Sequence, residues 1–159
     1  MKKILFILFS ILGLNAVAQT SVDEILLIQD LYGKSKADVV EEYLSLSDTQ
    51  AAAFKPIYDK YEAERKALSQ QKIMILEDYA KNYATLSDAK ATELTAKNLK
   101  YDQDSQKLLS KTHSKLVKAI GGINAAKFVQ LEVYLQVTIR AEIQDAIPFI
   151  DELDKTKKH

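Results

Sequence analysis

The stretch Leu46-Ser47-Asp48-Thr49-Gln50 carries the signature of a helix start. A serine at the cap can accept a hydrogen bond from the amide three residues on, while a glutamine at that position reaches back to the amide of the cap. Leu46, just before the cap, is placed to pack on the first turn. Beyond it Phe54, Tyr58, Tyr61, Leu68, Ile75, Tyr79 and Tyr83 recur at three- and four-residue steps or their sum, which lays a stripe along one helical face. Unbroken to Tyr83, this helix would be about 50 Å long. Pro56 has no amide to offer Ala52 and its ring crowds that carbonyl, so a bend is predicted near the second turn.

Working outward, a second start, Leu86-Ser87-Asp88-Ala89-Lys90, opens a third helix. The two starts align at Ala51 with Ala91, Lys60-Tyr61 with Lys100-Tyr101, and Leu68 with Leu108, a likeness that duplication or amphipathic composition alone can produce. The stripe of helix three, Leu94, Tyr101, Leu108, Thr112, Leu116 and Ile120, is thinner, which predicts that much of it stays wet. Gly121-Gly122 should end that helix, and Asn124 should cap a fourth that carries Phe128, Leu131, Tyr134, Leu135, Ile139 and Ile143 to Ile147, where Pro148 stops it. Phe149 and Ile150 are expected to dock on the core ahead of a fraying charged tail, 151–159.

Upstream, a first helix is expected from Val22 to Leu44, interrupted near Gly33-Lys34-Ser35, its second part presenting Val39, Val40, Tyr43 and Leu44 on one side. With four glycines, two prolines and no alternating β-branched run, no sheet is predicted. The expected fold is all-α, a four-helix antiparallel hairpin or cradle with a long, Pro-bent second helix, in one domain over residues 19–150.

Lys2 and Lys3 precede an apolar run from Ile4 to Leu14, and Ala16-Val17-Ala18 supplies the small residues of a cleavage site. This is the layout of a secretory signal peptide, with the mature chain beginning at Gln19. The run is shorter than the roughly 20 apolar residues a spanning helix needs, so no stable membrane insertion is expected. The absence of cysteine removes disulfides and a lipid-modified cysteine. Of 22 basic and 22 acidic residues, cleavage removes Lys2 and Lys3, leaving a mature charge near −2. Lysines and carboxylates are interleaved, without the basic face that nucleic acid requires.

Chemistry finds little to work with. His113 and the terminal His159 are the two histidines, and His113 has no second ligand at helical spacing, so no metal is expected. The carboxylates come in pairs: Glu41-Glu42, Glu62 with Glu64, Asp102 with Asp104, and Glu142 with Asp145. Only Glu142 and Asp145 share a helix face, and the pairs fall among lysines and glutamines or near a helix end, the setting of solvated surface charge. No serine sits in a Gly-x-Ser-x-Gly elbow, and Gly121-Gly122 lacks the rest of a phosphate loop. The residues therefore predict a non-enzymatic protein without catalytic residues, cofactor or metal; an enzyme would need a deep pocket gathering Glu142, Asp145 or His113. What remains is surface. Its eight tyrosines combine an apolar body with a polar tip, and Phe54, Tyr58 and Tyr61 are candidate binding residues if their stripe is left open.

Leu46-Ser47-Asp48-Thr49-Gln50 resembles the Leu-Thr-x-x-Gln motif of the Spy/CpxP-like family of exported helical proteins. The segments 54–62 and 125–132, with Ile147-Pro148, resemble small exported helical proteins of the Bacteroidetes. The resemblance implies a periplasmic, ATP-independent chaperone-like protein, often a homodimer, that holds unfolded or stress-damaged clients. The alternative it implies is a dedicated accessory or sensor partner of one envelope stress regulator or membrane complex. Leu46, Ser47 and Gln50 would be structural, and Phe54, Tyr58 and Tyr61 would line the client cradle. The chain departs from the family at Lys90, where glutamine is expected, in its slightly negative charge and in lacking histidine-rich termini.

Overall fold

The computed structural model describes residues 33–150, and it is all-α. The expected signal peptide (1–18), the first part of the expected first helix (22–32) and the tail 151–159 lie outside the described residues. Four helices follow one another: α1 (Lys36–Leu44), α2 (Asp48–Asn82), α3 (Asp88–Ile120) and α4 (Gly122–Ala146), with a single 3-10 turn at Tyr83–Thr85.

Local chemistry sets most boundaries. Ser35 caps α1 in a box closed by Asp38, and Ser47 caps α2 in a box closed by Gln50. Ser87 accepts from the Lys90 amide at the start of α3. Gln50 has a further role, because its Nε2 donates to the carbonyl of Ile120 at 3.2 Å. The residue that closes the cap of α2 thus also satisfies an orphan carbonyl at the end of α3. Lys90, in the corresponding place on α3, instead reaches Asp78 of α2 at 2.8 Å. Gln50→Ala therefore removes a cap contact and an interhelix bond together, with an expected loss of about 1–2 kcal/mol against about 1 kcal/mol for Ser47→Ala, both read from urea midpoints.

Several expectations need correction. Gly121, with φ +86°, ends α3 and serves as the N-cap of α4. Asn124 is no cap, since it lies inside the first turn and its Nδ2 donates back to Ile120 O at 3.2 Å. α2 stops at Asn82 rather than Tyr83, and α4 at Ala146 rather than Ile147. Pro56 lies inside α2, as expected, and its ring faces solvent. Phe149 and Ile150 are exposed rather than sunk in the core, and their stretch is tied by its backbone to α2 and to the 3-10 turn, Tyr79 donating to Pro148 O and Tyr83 to Phe149 O, each at 3.0 Å.

The largest correction concerns α3. Leu94, Leu108, Thr112, Leu116 and Ile120 are all buried, together with Leu109. The cause is topological: α3 packs against both α2 and α4 and so is wetted least along its stripe. α4 runs parallel to α2, with Phe128 beside Phe54 and Pro148 beside Tyr79. α1 lies antiparallel on α4, with Lys36 beside Glu132 and the Leu44 carbonyl accepting from Lys127 at 3.0 Å. The core gathers where all four helices meet, around Val40, Leu44, Phe54, Tyr61, Leu116 and Phe128.

Candidate functional site

Two features of α4 stand out, one on each side of the helix. The inner side carries a charge into the core. Glu132 is 0 % exposed, and it occupies the stripe defined by Phe128 and Leu135. Lys36 Nζ donates to Glu132 Oε2 at 2.9 Å and lies 2.8 Å from Oε1, which receives no hydrogen bond and is compensated by the ammonium charge alone. Tyr61 donates to Oε2 at 2.8 Å, and Gln136 donates to the Tyr61 hydroxyl at 3.4 Å. Lys36 also reaches Glu62 at 2.6 Å, and Arg65 holds Glu62 through two bonds of 2.9 and 3.0 Å. Three helices are therefore joined through one network of alternating charge.

Burial alone would raise the carboxyl pKa of Glu62. The Arg65 hydrogen bond and the Lys36 and Arg65 charges overcome it and bring the group down to about 2. A carboxyl depressed on folding contributes stability that is complete above its unfolded pKa, near 4.5, and is lost as pH falls toward 2. The expected loss across that window is on the order of 3 kcal/mol, and it should vanish in Glu62→Gln. Urea midpoints at stepwise pH check this; an unchanged acid slope in the variant would remove Glu62 as the source. Burial and the Glu62 and Glu132 charges raise the pKa of Tyr58, and burial with the Glu132 charge and its hydrogen bond raises that of Tyr61, so both stay neutral. The network has the form of a structural clamp.

The outer side of α4 is apolar and open. At about 100° per residue, Ile123, Ala126, Gln130, Val133, Tyr134 and Val137 fall in a sector about 100° wide, opposite Glu132. Ala141 continues it. All are exposed, Ile123 by 81 %, Tyr134 by 58 % and Val137 by 60 %. No charged residue falls in the sector; Lys127 and Arg140, the cations of α4, stand at its two edges. An uncharged, apolar stripe along a helix is the type of surface that marks an interaction site.

The residues expected to line a cradle are placed elsewhere. Phe54 and Tyr61 are buried, at 8 % and 2 %, and Tyr58 is half-buried. Their rings surround Phe128, with centroids 5.8, 5.4 and 6.3 Å away, so they face the core. Leu46, half-buried, packs against the same core, and Ser47 and Gln50 close the cap described above. His113 is half-buried on α3, while the side chains of Glu142 and Asp145 lie outside the described residues. Two surface depressions, of about 350 and 340 Å³, are lined by Lys34, Val39, Glu42 and Tyr43 and by residues of α2 and α3 around Leu68 and Leu108; neither is lined by His113. Among the described residues no cluster of three metal-ligating side chains occurs, and no helix is long and apolar enough to cross a membrane.

Glu132 and the α4 stripe were both missed in the sequence. The signals were present: Glu132 sits four residues after Phe128 in an apolar row, and α4 carries apolar residues on two sides rather than one. Comparison of the chain with family models, curated proteins and solved structures gave no match.

Proposed function

We propose that this chain is an exported, ATP-independent, chaperone-like protein that holds unfolded or stress-damaged clients by apolar contact, and that the outer face of α4 is the contact surface. The observation that carries the reading is the uncharged exposed stripe of Ile123, Val133, Tyr134 and Val137. The signal-peptide layout of residues 1–18 supports export to the periplasm. The protein is non-enzymatic in this reading, clients leave by mass action, and no cofactor is used. Tyr134 suits such a surface because its ring offers contact area while its hydroxyl tolerates water.

The test is light scattering from a chemically denatured, unrelated client diluted into buffer with the mature chain, 19–159, at near-equal concentration. Suppressed scattering is expected, and Val133→Ser/Tyr134→Ser/Val137→Ser should abolish it while the helical circular dichroism is unchanged. A wild-type chain that is folded yet leaves scattering unaltered would overturn general client binding and favour a dedicated envelope partner, to be sought by pull-down.

A further inference from the structure

The alternation of lysines with carboxylates gives out between Ser105 and Leu131, a stretch that holds no Asp or Glu. Within it the C-terminal half of α3 carries Lys107, Lys111, Lys115 and Lys118, all exposed. At about 100° per residue the four fall in a sector about 80° wide, and no other residue of 105–120 shares it. The buried side chains of the same stretch, Leu108, Leu109, Thr112, Leu116 and Ile120, occupy a different sector. The lysines therefore form a straight ridge about 16 Å long on the solvent side of α3.

The fold makes no use of this ridge. Most cations of the described residues sit against a partner, as Lys36 does against Glu132, Lys90 against Asp78 and Arg140 against Asp102. Among the described residues none of the four ridge lysines has a hydrogen bond or an ion pair. Glu64 and Asp104 share a shallow depression with Lys107 and Lys111, but each already faces its own cation, Lys60 at 4.0 Å and Lys100 at 2.8 Å. The helix dipole favours cations only in the last turn and accounts for Lys118 alone. Each step along the row is i,i+4 or i,i+3, the spacing at which like charges repel and weaken a helix.

Shape and chemistry select the partner. A convex ridge does not enclose a small anion, and the depression beside it holds two carboxylates. A straight line of charge meets a flat surface along its whole length. Lysine presents a point charge rather than the two-pronged fork with which arginine reads single phosphates, so the row responds to charge density and not to one headgroup. No large apolar side chain shares the sector, so contact is made by charge, without insertion. We infer that Lys107, Lys111, Lys115 and Lys118 dock the protein on an anionic phospholipid surface. The choice of a bilayer rests on the export proposed above; client holding plays no part in it.

The mature chain, 19–159, is sedimented at low ionic strength with vesicles of equal parts phosphatidylglycerol and phosphatidylcholine, and with vesicles of phosphatidylcholine alone. Binding to the anionic vesicles only is expected, weakened about fivefold for each lysine neutralised and so about 25-fold in Lys111→Gln/Lys115→Gln. Lys66→Gln/Lys81→Gln makes the same change in net charge at two exposed lysines of α2 and should stay within about twofold of the natural chain. Added salt should release the protein, as the screening length falls from about 30 Å at 0.01 M to about 10 Å at 0.1 M. Absence of binding to the anionic vesicles, or equal losses in the two double variants, would overturn the inference. So would capture by soluble polyglutamate in place of the vesicles, which would give the ridge to an acidic protein. Vesicle binding by a chain that leaves client scattering unaltered would keep this inference and sink the client reading, and suppression without vesicle binding would do the reverse. A chain found uncleaved in the cytoplasm would withdraw export and leave the vesicle result as it stands.

Discussion

Lys36→Met is expected to lower the stability of the chain by about 3–5 kcal/mol, because it takes the cationic partner from a carboxyl group buried in the core. Glu132 is fully buried, and Lys36 Nζ is the cation within 3 Å of both its carboxylate oxygens. After the substitution the carboxylate keeps only the Tyr61 hydroxyl. The second carboxylate at Lys36, Glu62, suffers less, since Arg65 continues to hold it. The reverse experiment is as informative. In Lys36→Met/Tyr61→Phe/Glu132→Leu the charge, its cation and the hydroxyl that would be stranded are all removed, and most of the loss should return, to within about 1–2 kcal/mol of the natural chain. Urea midpoints for the single and triple variants decide the matter. A single variant costing under about 1 kcal/mol would show that the carboxylate is not confined to the core as placed here.

The purpose of so costly an arrangement lies in α1. This helix has nine residues and two fully sequestered apolar side chains, Val40 and Leu44, which is a small anchor for a separate element. The ion pair at its start and the Lys127 contact to the Leu44 carbonyl at its end fix its position on α4. A lysine that can be satisfied in one register alone specifies where α1 sits, even where an apolar pair would give equal stability.

What could be read from the sequence divides along the range of the interactions. The caps at Ser47 and Ser87 and the glycine between α3 and α4 were legible, because each depends on residues within three or four positions. The break at Gly33-Lys34-Ser35 was legible too, but the capping box that Ser35 forms with Asp38, equally local, was not read from it. The burial of α3 was not legible, since it follows from which helices flank it. The pairing of Lys36 with Glu132 spans 96 residues and depends on α1 settling against α4. Tyr134 shows the difficulty within one helix: it stands three residues after Leu131 and beside Leu135 in sequence, yet at about 100° per residue it falls in the outer sector, where it is exposed. With apolar residues on two sides, the α4 sequence alone does not say which side is the core.

Phe128→Ala supplies the second large effect and settles that orientation. Phe128 is 0 % exposed and stands edge-on to Phe54, Tyr58 and Tyr61, while Phe54 and Tyr58 stack at 5.2 Å. Removing the ring leaves a cavity bounded by three aromatic groups too rigid to collapse into it, at an expected cost of about 3–5 kcal/mol. Val137→Ala, on the opposite side of the same helix, should change stability by no more than about 0.5 kcal/mol. Urea unfolding of the two variants reads this contrast directly, and a reversed order would turn α4 over and withdraw the client face. The same geometry governs the cradle tyrosines. Tyr58→Ser/Tyr61→Ser opens the pocket around Phe128 and strands Glu132 without its hydroxyl, so its expected outcome is loss of folding. Any accompanying loss of client holding would then report the missing core, whereas loss of holding in the Val133, Tyr134 and Val137 variants, with the helices intact, would report the surface itself.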